Sequence, residues 1–279
     1  MKNIYAILLA ILALTTTQAQ KNKLNLIVGT YTKSCESKGI YVYEFDSKTG
    51  DFSLKSNTEN IINPSYLTVS KDNKFVYSVS ENDKKSSVSA FGFDSKSGKL
   101  DFMNYNNPNG LNPCYIINDE KNVITANYSS GNISVLGKNN DGSIGEVKQI
   151  VQHTGKSINA NRQEAPHAHM VYFSPDKKYV LANDLGTDKV YLYQNNPNSA
   201  TEVLTLKSSI EVKPGSGPRH LIFSKDGKYV YVLQELDGTI TSFSYADGIL
   251  KKVSETTVVA ADFKGDIGAA DIHISPDGK

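Results

Sequence analysis

The sequence has no tryptophan, three methionines and two cysteines, and only two arginines, Arg162 and Arg219, against 28 lysines. Each scarcity excludes something. Cys35 and Cys114 lie far apart with no C-x-x-C pair, which argues against a disulfide scaffold or a thiolate zinc site, and they are read as two separate thiols. Basic and acidic residues number 30 and 29 and are well mixed, for a formal charge of +1. That balance offers no basic stripe for nucleic acid and no charged disordered tail. The apolar run Ile4–Leu14 is too short to span a bilayer. It follows Lys2 and precedes TTTQAQ, so residues 1–19 read as a signal peptide cleaved after Ala19. No cysteine follows the run, which argues against a lipoprotein. The mature chain, residues 20–279, is expected in the periplasm or secreted, detached from the membrane and monomeric. Also missing are a G-x-S-x-G nucleophile elbow and a glycine-rich nucleotide loop.

What is present is β-forming. Tyrosine, valine, isoleucine and threonine are plentiful, and one pattern recurs. NPSYLTVSKDNKFVYSVSEND starts at Asn63, NPCYIINDEKNVITANYSSG at Asn112 and APHAHMVYFSPDKKYVLANDLG at Ala165. GPRHLIFSKDGKYVYVLQELDG follows from Gly217 and GAADIHISPDGK from Gly268. Aligned on the turn, Asp72, Lys121, Asp176, Asp226 and Asp277 recur at steps of about 50 residues, a spacing typical of propeller blades. Each unit reads as four strands, with Asp and Gly reversing the chain between the first and second. LNLIVGTYTK, GIYVYEFD and SKTGDFSLKSN supply strands two to four of an opening unit. The expected fold is an all-β propeller of four-stranded blades, because radial stacking buries both faces of each small sheet. The Trp-Asp repeat class is excluded by the absence of tryptophan. About five to five and a half blades are present. DIHIS (Asp271–Ser275) is expected to be a first strand, and the chain reads as stopping about one and a half blades short of seven.

Strand parity brings scattered residues together. In a propeller, the residues just before first strands and those ending second strands lie on one face near the axis. That set holds Pro166, His167, His169, Arg219, His220, Asp184, Gln234, Glu235 and, by repeat position, Glu81. Imidazole, guanidinium and carboxylate groups thereby converge on one concave mouth, where ligands usually bind. Lysine is the default cation here, yet both arginines lie beside the histidine motifs. An arginine fork suits bidentate contact with a carboxylate or phosphate. Arg219 could also simply hold the link between blades by bonding carbonyls. Arg162 lies in a longer, looser link. His167 and His169 are read as facing opposite sides of a strand start, with His167 toward the channel. His220 serves either the site or the backbone. His153 is expected in a solvated loop, and His273 to be structural within a strand. Glu235 reads as a carboxylate that orients or activates water, or as a solvated loop acid. H-x-H alone is a weak metal signal, so no metal or cofactor is expected.

Taken together, LIVGTYT, GIYVYEFD, NPSYLTVS, RQEAPHAHMVYFSPD, ANDLGTDKVYLY, GPRHLIFSKDGKYVYVLQEL and DIHISPDGK resemble the seven-bladed propeller lactonase family over about residues 24–279. The resemblance implies hydrolysis of a sugar lactone without a metal. A similar fungal relative cyclises carboxy-muconate, with His, Arg and Glu in its pocket. Those roles match the histidine of PHAH, Arg219 and Glu235. Catalytic roles are therefore expected for His167, His169, Arg219 and Glu235, and substrate contacts for Arg162, His220, Asp184, Gln234 and Glu81. A muconate-type isomerase and a non-catalytic binding propeller are the competing readings. Since 6-phosphogluconolactone is a cytosolic metabolite, export would point to other sugar lactones.

Overall fold

The computed structural model describes residues 22–278. The expected signal peptide lies outside the described residues. The strands form five antiparallel sheets in chain order. The first has three strands: β1 (Lys23–Val28), β2 (Tyr41–Asp46) and β3 (Phe52–Asn57). The second holds β4 (Leu67–Val69), β5 (Phe75–Ser80), β6 (Ser87–Asp94) and β7 (Lys99–Asn106). The third holds β8 (Pro113–Asn118), β9 (Asn122–Asn127), β10 (Asn132–Lys138) and β11 (Ile144–Gln152). The fourth runs through β12 (Ala168–Phe173), β13 (Tyr179–Asp184), β14 (Lys189–Asn195) and β15 (Leu204–Glu211). The fifth runs through β16 (Pro218–Phe223), β17 (Tyr229–Gln234), β18 (Thr239–Ala246) and β19 (Ile249–Thr257).

First strands pack on first strands, β4 on β8, β8 on β12 and β12 on β16, as radial blades require. Burial falls from the axis outward. All six residues of β9 are buried, whereas β19 is almost wholly exposed. The apolar core lies between sheets rather than within any one. Ile124, Val135, Val171, Leu181, Val230 and Phe243 belong to one cluster spanning the third, fourth and fifth sheets. A blade buries both its faces only through its neighbours.

The repeated turn has a mechanism. Ser70, Ser174 and Ser224 each donate to the Asp two residues on, at 2.7 Å, and accept the backbone N–H of the residue five on, at 3.0 Å. The third blade differs. Asp119 takes the serine's place and accepts the N–H groups of Lys121 and Asn122, both at 2.7 Å. Its backbone pairs with Asn122, three residues on instead of five. Lys121 is thus no counterpart of Asp72, because this turn is two residues shorter.

Two further expectations are corrected. His153 is not solvated but buried, with Nδ1–H donating to Asp184 Oδ2 (2.6 Å) and the Tyr193 hydroxyl reaching Nε2 (2.8 Å). Residues 268–275 form no strand, and His273 is exposed, with Nε2 2.8 Å from Asp271 Oδ2. A first strand needs a second strand for its ladder bonds, and none follows among the described residues.

Candidate active site

The mouth of the channel is built by two positions that every blade repeats. In β8, β12 and β16 the register slips by one residue at the second position, a β-bulge that leaves Cys114, His169 and Arg219 without a cross-strand partner. A bulged residue is re-aimed out of the normal pleat. Ser65, just ahead of β4, occupies the same repeat position. The other position is the residue following the second strand: Glu81 after β5, Tyr128 after β9, Leu185 after β13 and Glu235 after β17. In the opening sheet Tyr31, three residues past the end of β1, reaches the same cavity. A cavity of about 460 Å³ is lined by Tyr31, Glu81, Cys114, Arg162, His169, Arg219 and Glu235, together with Ser65, Tyr66, Tyr128 and His220.

The fourth blade departs from the pattern informatively. Leu185 is buried, and the long link before β12 folds over it. Gln163, also buried, donates to the Leu185 carbonyl at 2.8 Å, and Asn159 caps the turn that presents Arg162. A guanidinium carried by the link thus joins the cavity in the blade whose own side chain turns inward.

Glu235 is the hub. Its Oε2 meets Arg219 Nε at 2.9 Å and its Oε1 meets Arg162 Nη2 at 2.5 Å. His169 Nε2 lies 3.9 Å from Oε2. Arg162 also donates to the Tyr128 hydroxyl at 3.3 Å, and these two bonds hold its guanidinium firmly charged. Arg219 Nη1 donates to the Ala270 carbonyl, so this arginine both fastens a link and faces the cavity. The His169 imidazole is nine-tenths buried. Burial first, then the charge of Arg219 and the neighbouring His220, hold its pKa well below the ordinary 6.5. It is therefore neutral at physiological pH and free to accept a proton. Burial likewise lowers His220, partly offset by its Nδ1–H bond to Asp271 Oδ1 at 2.6 Å. Tyr66 and Tyr115 stack at 4.0 Å, with His220 edge-on at 5.2 Å from Tyr115, beside the charged cluster. Among the described residues no group of three His, Cys, Asp or Glu side chains is placed to hold a metal ion.

The expected residues divide. Arg162, His169, Arg219, His220, Glu235 and Glu81 meet in the cavity. His167, the expected channel histidine, does not line it. Its ring stacks on Tyr128 at 4.5 Å, and Nδ1–H donates to the Tyr128 carbonyl at 3.0 Å. Residues two apart share a face on a regular strand. The two histidines do point apart, but only because the bulge after Ala168 turns His169 to the mouth, so the expected sides are exchanged. Asp184 and Gln234 are wholly buried and also absent from the cavity wall. They are the last residues of β13 and β17, one pleat before the buried Leu185 and the cavity-lining Glu235. Asp184 accepts from the backbone N–H groups of His167 (2.8 Å) and Thr187 (3.1 Å) as well as from His153. Tyr31, Ser65, Tyr66, Cys114 and Tyr128 were not anticipated. Repeat position alone, applied to every blade as it was to Glu81, finds Ser65, Cys114 and Tyr128. Cys35 and Cys114 are separate thiols, as expected.

Bulged first strands, a charged mouth and radial four-stranded sheets define a class, and the chain belongs to it: the family described as "Lactonase, 7-bladed beta-propeller" matches residues 25–279. The chain is similar to the 6-phosphogluconolactonase of Bacillus subtilis, with 36% identity over 256 residues, covering 90% of this chain and 72% of that one. It is 33% identical to the 6-phosphogluconolactonase of Formosa agariphila, covering 91% and 73% of the two chains. Among solved structures, the periplasmic gluconolactonase of Pseudomonas aeruginosa superposes with a TM-score of 0.85 at 34% identity, covering 92% of this chain and 74% of that one. A Bacteroides fragilis crystal structure superposes with a TM-score of 0.88 at 42% identity, covering 94% and 74%.

Proposed function

We propose that this protein is a lactone hydrolase that opens a sugar lactone by attack of water on the ring carbonyl. The observation that carries this reading is the convergence of a neutral buried imidazole, two guanidinium groups and a bridging carboxylate on one cavity wall. The similarity to lactonases of three bacteria supports it.

In the mechanism that this geometry supports, His169 takes a proton from the attacking water. A base with a lowered pKa stays unprotonated at working pH, which general-base catalysis requires. The tetrahedral intermediate places a negative charge on the former carbonyl oxygen. Arg219 stabilises it, with Nε and Nη1 tied to Glu235 and Ala270 and Nη2 left for the ligand. Glu235 fixes both arginines and favours the imidazolium as it forms. His169 then returns the proton to the departing ring oxygen, so that lactone and water become one hydroxy acid.

The test is proton release by the purified full chain with glucono-δ-lactone, its 6-phosphate and a muconolactone. Turnover of a gluconolactone supports the reading. Turnover of muconolactone alone would replace it with an isomerase, and silence on all three with a binding role. We further propose that the protein acts outside the cytoplasm. Lys2 and the Ile4–Leu14 run, and the periplasmic relative, support this. N-terminal sequencing of the protein from the periplasmic fraction should begin at Gln20, and an intact Met1 on cytoplasmic protein would refute it.

A further inference from the structure

The cavity holds a second carboxylate, and its surroundings differ from those of Glu235. Glu81 follows β5 and occupies the same repeat position as Glu235, three blades earlier in the ring. Cys114 and His169, from the two intervening blades, separate the two acids along the wall. No cation lies within ion-pair distance of Glu81 among the described residues. Its Oε1 accepts instead from two neutral donors, the Tyr31 hydroxyl at 2.7 Å and the Ser65 hydroxyl. Both bonds end on one oxygen, which leaves Oε2 able to accept from a ligand. The position is rigid: the Glu81 N–H donates to the Asn63 carbonyl at 3.3 Å, and Asn63 Nδ2 donates to the Glu81 carbonyl at 3.0 Å. Burial, and then the bond to Glu81, push the Tyr31 phenol up to about 12, so it remains a donor.

Building on the lactonase reading, we infer that Glu81, with Tyr31 and Ser65, is a specificity wall that accepts hydroxyl groups of an uncharged polyol lactone and disfavours a substrate bearing phosphate at that end. A carboxylate without a counter-cation is a strong acceptor for an alcohol O–H and a poor neighbour for a phosphate dianion. The arginines stand on the other part of the wall, and their shared carboxylate already engages both. A lactone whose carbonyl meets Arg219 and His169 therefore extends its hydroxyl-bearing carbons toward Glu81. The cavity, about 460 Å³, has room for a six-membered lactone ring and its side arm.

The experiment compares kcat/KM for glucono-δ-lactone and for its 6-phosphate, using the full natural chain, Glu81→Gln and Tyr31→Phe, with thermal midpoints recorded for each. The wild type should favour the uncharged lactone. Glu81→Gln keeps the shape and removes the charge, so the ratio should fall at least about tenfold, mostly through KM. Tyr31→Phe should shift it less. An independent readout needs no variant. Raising ionic strength should lower the wild-type KM for the phosphate by screening the repulsion and leave that for the neutral lactone unchanged. A ratio unmoved within twofold by Glu81→Gln, or a wild type that prefers the phosphate, overturns this inference and leaves the lactonase reading standing. A wild type that turns over neither lactone removes the lactonase reading itself and this inference with it.

Discussion

The fourth and fifth blades are nearly the same object built twice, and their differences separate chemistry from support. β12 and β16 carry the same bulge, yet one presents His169 and the other Arg219. β13 and β17 end alike, but Asp184 anchors three donors while Gln234 has a buried Oε1 with no partner among the described residues. The next residue is buried Leu185 in one blade and the hub Glu235 in the other. The scaffold thus fixes where a side chain can reach the mouth. Each blade then chooses what to put there, and a buried neighbour decides how firmly it is held.

The largest effect that would sharpen this contrast is loss of the fourth blade's bulged imidazole. His169→Gln should lower kcat by about 10²–10⁴ with a smaller change in KM, measured on whichever lactone the wild type hydrolyses. Activity within tenfold of wild type would move the base elsewhere. The same histidine sets a pH signature. Its folded pKa lies below 6.5, so the acid limb of the rate profile should also lie below 6.5. For stability, the unfolded imidazole binds protons first as the pH falls. The contribution of the neutral buried ring is therefore complete above about 6.5 and is lost from there down to the folded pKa. Urea midpoints of the wild type should fall through that window more steeply than those of His169→Gln.

The fifth blade's counterpart comes next. Arg219→Lys keeps the charge but loses the fork that meets Glu235 through Nε and Ala270 through Nη1. It should cost about 10²–10³ in kcat/KM. A near-wild-type lysine variant would show that Arg219 supplies charge alone.

These two residues also show what could be read without coordinates. The fold was legible because the turn serine–aspartate pair and the alternating strands repeat, and repetition survives local noise. That Arg219, Glu235 and Glu81 share one cavity was legible because all three stand at repeat positions near the axis. His167 was preferred over His169, yet two residues apart on a regular strand would share a face; the bulge at His169, which nothing in PHAHMV announces, separates them and sends the later one to the mouth. Asp184 and Gln234 were misplaced by a single pleat, because the last residue of each second strand turns into the interior and in the fifth blade it is the next residue, Glu235, that reaches the cavity. The solvated reading of His153 failed because its partners, Asp184 and Tyr193, lie 31 and 40 residues away, a distance that only the folded blades close.

A stability contrast follows from the strand-ending pair. Asp184→Ala should lower unfolding free energy by about 3 kcal/mol, because it strands the His167, Thr187 and His153 donors in the interior. Gln234→Leu should change it by less than about 1 kcal/mol, since it removes an acceptor that is already unsatisfied, at the loss of two long bonds, to the Thr241 hydroxyl at 3.2 Å and the Val232 carbonyl at 3.4 Å. Equal losses in guanidinium titrations would mean that the two blades are supported alike.

The smallest test lies at the far end of the same blades, in the turns SPDKK and SKDGK. Both need a left-handed residue at their fourth position. The fifth blade supplies Gly227 at φ +70°, whereas the fourth forces Lys177 to φ +57°. A side chain there costs about 1 kcal/mol relative to glycine. Lys177 recovers part of this by standing over the Phe173 ring, 5.5 Å from its centroid. Lys177→Gly should therefore raise stability by only about 0.5 kcal/mol. Gly227→Ala should lower it by about 1–2 kcal/mol, because its new Cβ would sit 3.1 Å from Pro175 Cγ as well as at positive φ. Thermal melts of the two variants should move in opposite directions, and a shift of the same sign in both would show that the two turns do not share one geometry.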